Sequence, residues 1–594
     1  MRISRTSVAL GAVAAVIVAA GLPALGQDKP ESLLPPGFAD PVATPTPAPT
    51  AARPTSPGPA ATSSAPLPDG SLPTPVASAT PEAPVPVDPA VLARYDMPDY
   101  ARRSLASVGP VVPAGGGLSP RAFGNANGLY LESLMRRLDT PIASRWLSIA
   151  LRRALVSRLD TPPGVNGADF AAERAWLLLR MGESVAARGV VQSVDSDNYT
   201  PKLYEIAMQA ALATGDPAAL CAVADGGADL RRERGWVLAR AMCAGLAGQP
   251  GKAQPMIASA RKSGLASGID LLLAQKVAGT GASGRQAVTI EWDGVDRLTA
   301  WRYGLATATG VEIPEPLFST VSSNVQSWRA QSPMLAARVR AGPAEQAAVR
   351  GVFSSAALVD LYGAIDGEDD QSLAESGVAR DLRSAYAAAD LQARLEALKQ
   401  LWDEPKTADA RFGRLVLTAR AAARIPTDTE NADMDRLVAS MLTAGLDRAA
   451  MRWQARVATG GDAWAMLALA DPAPVSLSWS DVNRYKGSGD ADLKRRMFFA
   501  GMAGLGRMSQ ADIERGAQSL DVAIGTSNAW TRAIVAAAMH RQPATVLLLA
   551  GVGMQTKLWR GVSPEALFQI VTALRAVGLE SEARMIAAEA LARL

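Results

Sequence analysis

Apolar residues recur at helical spacing along most of the chain beyond residue 118, in short amphipathic stretches separated by Gly, Asp and Pro. A cap residue followed by a proline or helix-starting position predicts helix starts at Ser119-Pro120, Thr140-Pro141, Thr200-Pro201, Asp216-Pro217, Gln249-Pro250 and Ser563-Pro564. Gly182, Gly215, Gly248, Gly445 and Gly578 mark the turns that end helices. The alternation expected of strands is nearly absent. Its one exception, Val288-Thr289-Ile290-Glu291-Trp292, lies between glycine-rich 279–284 and Gly294 and reads as a loop or small insertion. It divides an all-α body into 118–280 and 281–594.

The first hundred residues follow a different pattern. Arg2 and Arg5 precede an apolar run, residues 7–22, that Pro23 interrupts and Ala24-Leu25-Gly26 follows. This order predicts a signal peptide over 1–26, cleaved before Gln27. An uncleaved anchor is the alternative, against which the run falls short of the roughly 20 residues that span a bilayer. No cysteine follows the run to accept a lipid. Residues 30–98 hold nearly half of the chain's 40 prolines and almost no aromatics, too little apolar area to offset chain entropy. A disordered linker is therefore expected over 27–117, closing on a glycine hinge at Gly115-Gly116-Gly117. At about 3.1 Å per residue it could reach on the order of 200 Å. The longest later apolar stretch, 544–554, is too short to span a membrane, so the mature chain is expected to be periplasmic or secreted and not transmembrane.

The turns carry a signature. Gly182 is followed five residues on by Ala187, Gly248 by Ala253, Gly445 by Ala450 and Gly578 by Ala583. These glycines lie 66, 197 and 133 residues apart, near multiples of a period of about 34 residues. With the stretch 573–583, continued by Ala587 and Ala590, the body resembles the tetratricopeptide-like family. The family's early large aromatic, first-helix tyrosine and closing proline are mostly missing, which makes the repeats degenerate. The resemblance implies an α-solenoid of antiparallel helix pairs whose concave face holds peptides or partner proteins. In such a stack each repeat contacts mainly its neighbours, so the body can exceed ordinary domain size.

With 594 residues and 48% hydrophobic content there is ample material for a large core. The formal charge is only +3, and the doublets Arg136-Arg137, Arg152-Arg153 and Arg231-Arg232 are dispersed. They read as solvated helix faces, and no nucleic-acid footprint is expected. Trp146, Trp176, Trp236, Trp301, Trp402, Trp453 and Trp530 are expected on helices as wedges between packed neighbours.

Candidate chemistry is sparse. Cys221 and Cys243, the only cysteines, would be bonded in an oxidising compartment provided the second helix starts near Arg232 or Gly235; two buried thiols are the alternative. A single histidine, His540, gives neither a zinc site nor a Ser-His-Asp relay, and no metal or cofactor pattern appears. Ser259-Ala260-Arg261-Lys262, with Ser322-Ser323-Asn324, matches penicillin-binding motifs but lacks the K-T-G strand. Glu132-Ser133 and Gly553-Met554-Gln555 echo soluble lytic transglycosylases. They lie too far apart for that family's catalytic domain, so the resemblance implies only its accessory helical superhelix. These features favour a non-enzymatic periplasmic scaffold binding protein partners of an envelope machine. The alternative is a peptidoglycan-binding or peptidoglycan-active protein with Glu132 as general acid and tryptophans along a sugar groove.

Overall fold

The computed structural model describes residues 98–594 apart from 232, 282–286, 369–373, 431 and 474, and helices dominate it from Gly128 onward. The segment 1–26 and most of the expected linker lie outside the described residues. Thr200 accepts the Leu203 N–H to open Pro201–Ala213, and Ser563 does the same with Ala566 for Pro564–Ala576. Each cap satisfies a donor that the helix itself cannot. Pro250 begins Pro250–Lys262, and Pro217 begins the short 3-10 turn Pro217–Leu220.

Two expected starts are corrected. Ser119-Pro120 leads into turns, because the Pro120 and Ala122 carbonyls are taken by the Asp160 and Ala544 N–H groups; the first α-helix is Gly128–Arg137, capped by Asn127. The Thr140–Pro141 bond is cis, and the Thr140 hydroxyl donates to the Arg180 carbonyl rather than capping. The helix begins instead at Arg145, with Ser144 as its cap. The run 288–292 forms no strand. Ile290 and Trp292 lie half-buried against the helices, and the Trp292 indole donates to Glu312 O at 2.9 Å.

The only sheet among the described residues pairs β1 (Ser107–Val108) antiparallel with β2 (Leu159–Asp160), Ser107 opposite Asp160. Arg174, fully buried, locks this segment down. Its guanidinium donates to the carbonyls of Val108, Leu155 and Ser157, and burial lowers its pKa to about 9. The linker expected over 27–117 therefore ends earlier, inside the body. Gly117 is buried 2.6 Å, measured from an ideal β-carbon, from the Val111 carbonyl, and the Leu118 N–H donates to Ser157 Oγ. Gly115-Gly116-Gly117 is a docked turn and not a hinge.

The five turn glycines share one geometry, with φ between 65° and 88°. At Gly182 the glycine N–H reaches Leu179 O and the next N–H reaches Leu178 O; Gly248, Gly445 and Gly578 repeat this pattern. It satisfies the last helical carbonyls and turns the chain in two residues. Ala187, Ala253, Ala450 and Ala583 are buried in the contact that follows. Gly182, Gly215 and Gly248 recur every 33 residues.

Consecutive helices pack as pairs, among them Gly167–Arg180 with Ser184–Val191, Arg234–Leu246 with Pro250–Lys262, and Pro564–Ala576 with Glu580–Arg593. The series from Pro201–Ala213 to Ala300–Ala308 forms a lateral arm whose helices pack mainly on one another. Elsewhere the chain closes on itself, which departs from a stack of nearest neighbours. Arg145–Val156 packs on Pro543–Gly553 and Glu580–Arg593. Glu589 accepts hydrogen bonds from Ser144 Oγ at 2.6 Å, Arg145 N at 2.8 Å and Trp146 N at 3.1 Å, so a C-terminal carboxylate caps an N-terminal helix. The buried Arg145 guanidinium spreads to the carbonyls of Ala348, Phe353 and Thr443. Burial lowers its pKa to about 10, with Glu589 opposing. Arg152, expected on a solvated face, instead turns inward to Glu183 at 2.9 Å and to Gly351 O. No helix among the described residues is long and apolar enough to cross a membrane.

Candidate functional site

Glu132 sits in an ion-pair cluster between three helices. Its Oε2 lies 2.7 Å from Arg136 and 3.8 Å from Lys202, and both cations also hold the buried Glu173. Burial raises its pKa, with Lys202 opposing. A raised carboxyl is what a general acid needs, but this one is engaged by the cations that join Gly128–Arg137, Gly167–Arg180 and Pro201–Ala213. The fold does bring Gly553-Met554-Gln555 to the end of the Glu132 helix, where Gln555 Oε1 accepts the Asp139 N–H at 3.1 Å. Gln555 thus meets Asp139, seven positions beyond Glu132.

His540 is exposed at the end of Ala529–Met539, its Nδ1 2.7 Å from Ala536 O. Ser259 and Lys262 lie exposed on Pro250–Lys262. Trp176, Trp236, Trp301 and Trp402 are buried helical wedges, Trp146 and Trp530 are half-buried, and Trp453 is buried in a turn beyond Asp447–Met451 instead of on a helix.

Cys221 and Cys243 are bonded, with Cα atoms 5.3 Å apart. Cys221 directly follows Pro217–Leu220, and Cys243 lies on Arg234–Leu246, whose start at Arg234 supplies the register that the bridge requires. Between them Gly226 and Gly227 let Tyr204 and Trp236 press against the short helix Ala224–Leu230, the two rings edge to face at 5.7 Å.

A serine, a lysine and a carboxylate converge where no motif marks them. Ser488 Oγ donates to Asp462 at 2.5 Å, and Lys494 Nζ lies 2.8 Å from Asp462 and 3.3 Å from Ser488. Tyr485 donates to the other Asp462 oxygen at 2.5 Å. These hydrogen bonds hold the Asp462 carboxyl below its ordinary pKa against the raising effect of burial. A lysine committed to a carboxylate lacks the free lone pair that a base for Ser488 needs. The cluster ties the loop 485–490 to Asp462–Ala470 and Ala491–Gly504.

A cavity of about 410 Å³ opens where Leu391–Asp403, Ala408–Ala422 and Met434–Thr443 meet, a size suited to a small ligand or a short segment of one. Trp402, Pro405 and Leu415 give it an apolar side, and Lys406, Arg411 and Arg436 its charge, against the single carboxylate of Asp403. Arg436 is pinned by Asp403 and Asp433, each at 2.5 Å, with its guanidinium 5.1 Å from the Trp402 ring centre. The Trp402 indole N–H is spent on Thr418 at 2.8 Å. Lys406 and Arg411 are exposed, and among the described residues neither has a carboxylate partner. The pattern of the sequence marks Trp402 as a wedge and gives no sign of the cations, of which Lys406 and Arg411 lie at the start of Ala408–Ala422 and meet Arg436 from Met434–Thr443.

No protein-family model, curated protein or solved structure matches the chain.

Proposed function

We propose that the chain is a non-enzymatic periplasmic scaffold whose degenerate tetratricopeptide-like, solenoid-forming helix pairs hold protein partners of a cell-envelope machine. In this reading a cleaved signal peptide exports it and the Pro-rich linker gives it reach. The recurring glycine turns with buried alanines support the repeat assignment, and the Cys221–Cys243 bond supports an oxidising compartment. The carrying observation is the open cavity at Trp402, which offers uncommitted binding groups, whereas Glu132 and Ser488 are engaged in ion-pair clusters.

The alternative is a peptidoglycan-active protein with Glu132 as acid, favoured by its raised pKa. One experiment separates the two. A photo-crosslinker at position 406, compared with one at the distant exposed Lys252, is expected to yield a discrete protein adduct from envelope fractions. Digestion of sacculi by the purified protein, lost in Glu132→Gln, would overturn the scaffold reading and establish the alternative.

A further inference from the structure

The scaffold reading leaves open what the Trp402 cavity recognises. The charges around it fall into two sets. Arg436 is matched by Asp403 and Asp433 and lies over Trp402, so it forms a fixed wall. Lys406 and Arg411 are unmatched. Lys406 precedes Ala408–Ala422 and Arg411 lies on its first turns, with Arg411 Nη2 resting 3.4 Å from Lys406 O. The positive end of a 15-residue helix adds to their field. An anionic group is therefore attracted to this end of the cavity.

The opposite side is apolar, so a bare inorganic ion leaves Leu415 and Pro405 without a partner. A glycan ring fits poorly, because the face of Trp402 that a sugar stacks on carries the Arg436 guanidinium and its indole N–H is already used. Two free cations are also too few for a nucleic-acid footprint. An acid beside an apolar side chain fits both halves, and a volume of about 410 Å³ holds roughly one or two residues of chain.

We propose that this cavity is a recognition site for an acidic peptide segment in which a carboxylate, held by Lys406 and Arg411, neighbours an apolar side chain seated against Trp402 and Leu415. The inference rests on the scaffold reading and specifies what that scaffold grips. Arginine contributes a planar fork that matches a carboxylate with two hydrogen bonds, and lysine adds an adjustable point charge.

The test uses the full chain and a fluorescein-labelled hexapeptide in which leucine separates two glutamates, followed by anisotropy. Saturable binding is expected to weaken with added salt and to fall at least 10-fold in both Arg411→Glu and Lys406→Glu, while Lys252→Glu leaves it unchanged. Both cavity side chains are exposed, so unchanged thermal melts should accompany the loss. The peptide with glutamine in place of both glutamates should not bind. Equal binding of that peptide, no effect of either charge reversal, or full displacement by equimolar inorganic phosphate would each overturn the proposal. A crosslinked envelope partner retained by Arg411→Glu would overturn this site alone and leave the scaffold reading standing.

Discussion

The lateral arm and the closing junction are built from the same kind of helix but held by opposite means. In the arm, Pro201–Ala213 to Ala300–Ala308, helices pack within a short stretch of sequence, Arg234–Leu246 on both Pro250–Lys262 and Gly268–Thr280 and Ala300–Ala308 back on Pro201–Ala213, turned by Gly215 and Gly248 and stapled by Cys221–Cys243. At the junction, Ser144 and Arg145 meet Glu589 from 445 and 444 residues away, through buried polar groups. Local pairing needs only small residues and a tight turn. Closure over such a distance needs a contact that fits one partner only, and a buried carboxylate capping a helix N-terminus beside a buried arginine provides it.

The comparison can be broken most decisively at Glu589. Glu589→Ala removes the cap of Arg145–Val156 and the carboxylate that pairs with the buried Arg593 side chain at 3.4 Å, an expected loss of about 3–5 kcal/mol in urea unfolding across the whole body. A loss below about 1 kcal/mol would show that packing alone closes the chain. Replacing both cysteines by serine should cost about 2–4 kcal/mol, with faster hydrogen exchange confined to the arm. Faster exchange in Arg145–Val156 would mean that the two regions are not separable.

The glycine turns sharpen the contrast. Gly182→Ala and Gly248→Ala both force alanine into left-handed backbone, at about 1–2 kcal/mol. At Gly182 the new β-carbon also lies 2.5 Å from Ser327, whereas at Gly248 the nearest atom is 3.8 Å away. Thermal melts should rank Gly182→Ala as the more damaging, and equal costs would refute the difference in crowding. The most gradual effect is a pH slope from Glu183 beside Gly182. Burial raises its pKa to about 7, with Arg152 opposing. Between about pH 4.5 and 7 the folded state keeps a proton that the unfolded state releases, so stability should fall as pH rises, by at most about 1.4 kcal/mol per unit. Glu183→Gln should flatten that part of the profile, and an unchanged slope would assign it to other groups.

What the sequence made legible was local. The all-helical composition, the Thr200 and Ser563 caps and the Gly-to-Ala turn spacing all follow from residues within a turn or two of one another, whereas the start of the Cys243 helix entered only as a condition on the bridge. What it hid was tertiary. Thr140-Pro141 has the form of a helix start, but the Thr140 hydroxyl is drawn to Arg180 O from another helix. Arg145, Arg174 and Glu589 resemble solvated charges on a linear string and become buried fasteners only once distant helices meet. The candidate cavity was illegible for the same reason, since Lys406, Arg411 and Arg436 converge from positions with no motif between them.

The Arg174 clamp also sets a path for force. A tug on the chain upstream of Ser107 is met first at Arg103, held to Asp195 and Gln192, and beyond that loads β1 in shear against β2 and reaches Arg174, whose hydrogen bonds pass it to Leu155 and Ser157 at the end of Arg145–Val156. From there the tension runs through Ser144 and Arg145 into Glu589 and the C-terminal helix. The Cys221–Cys243 disulfide lies off that line.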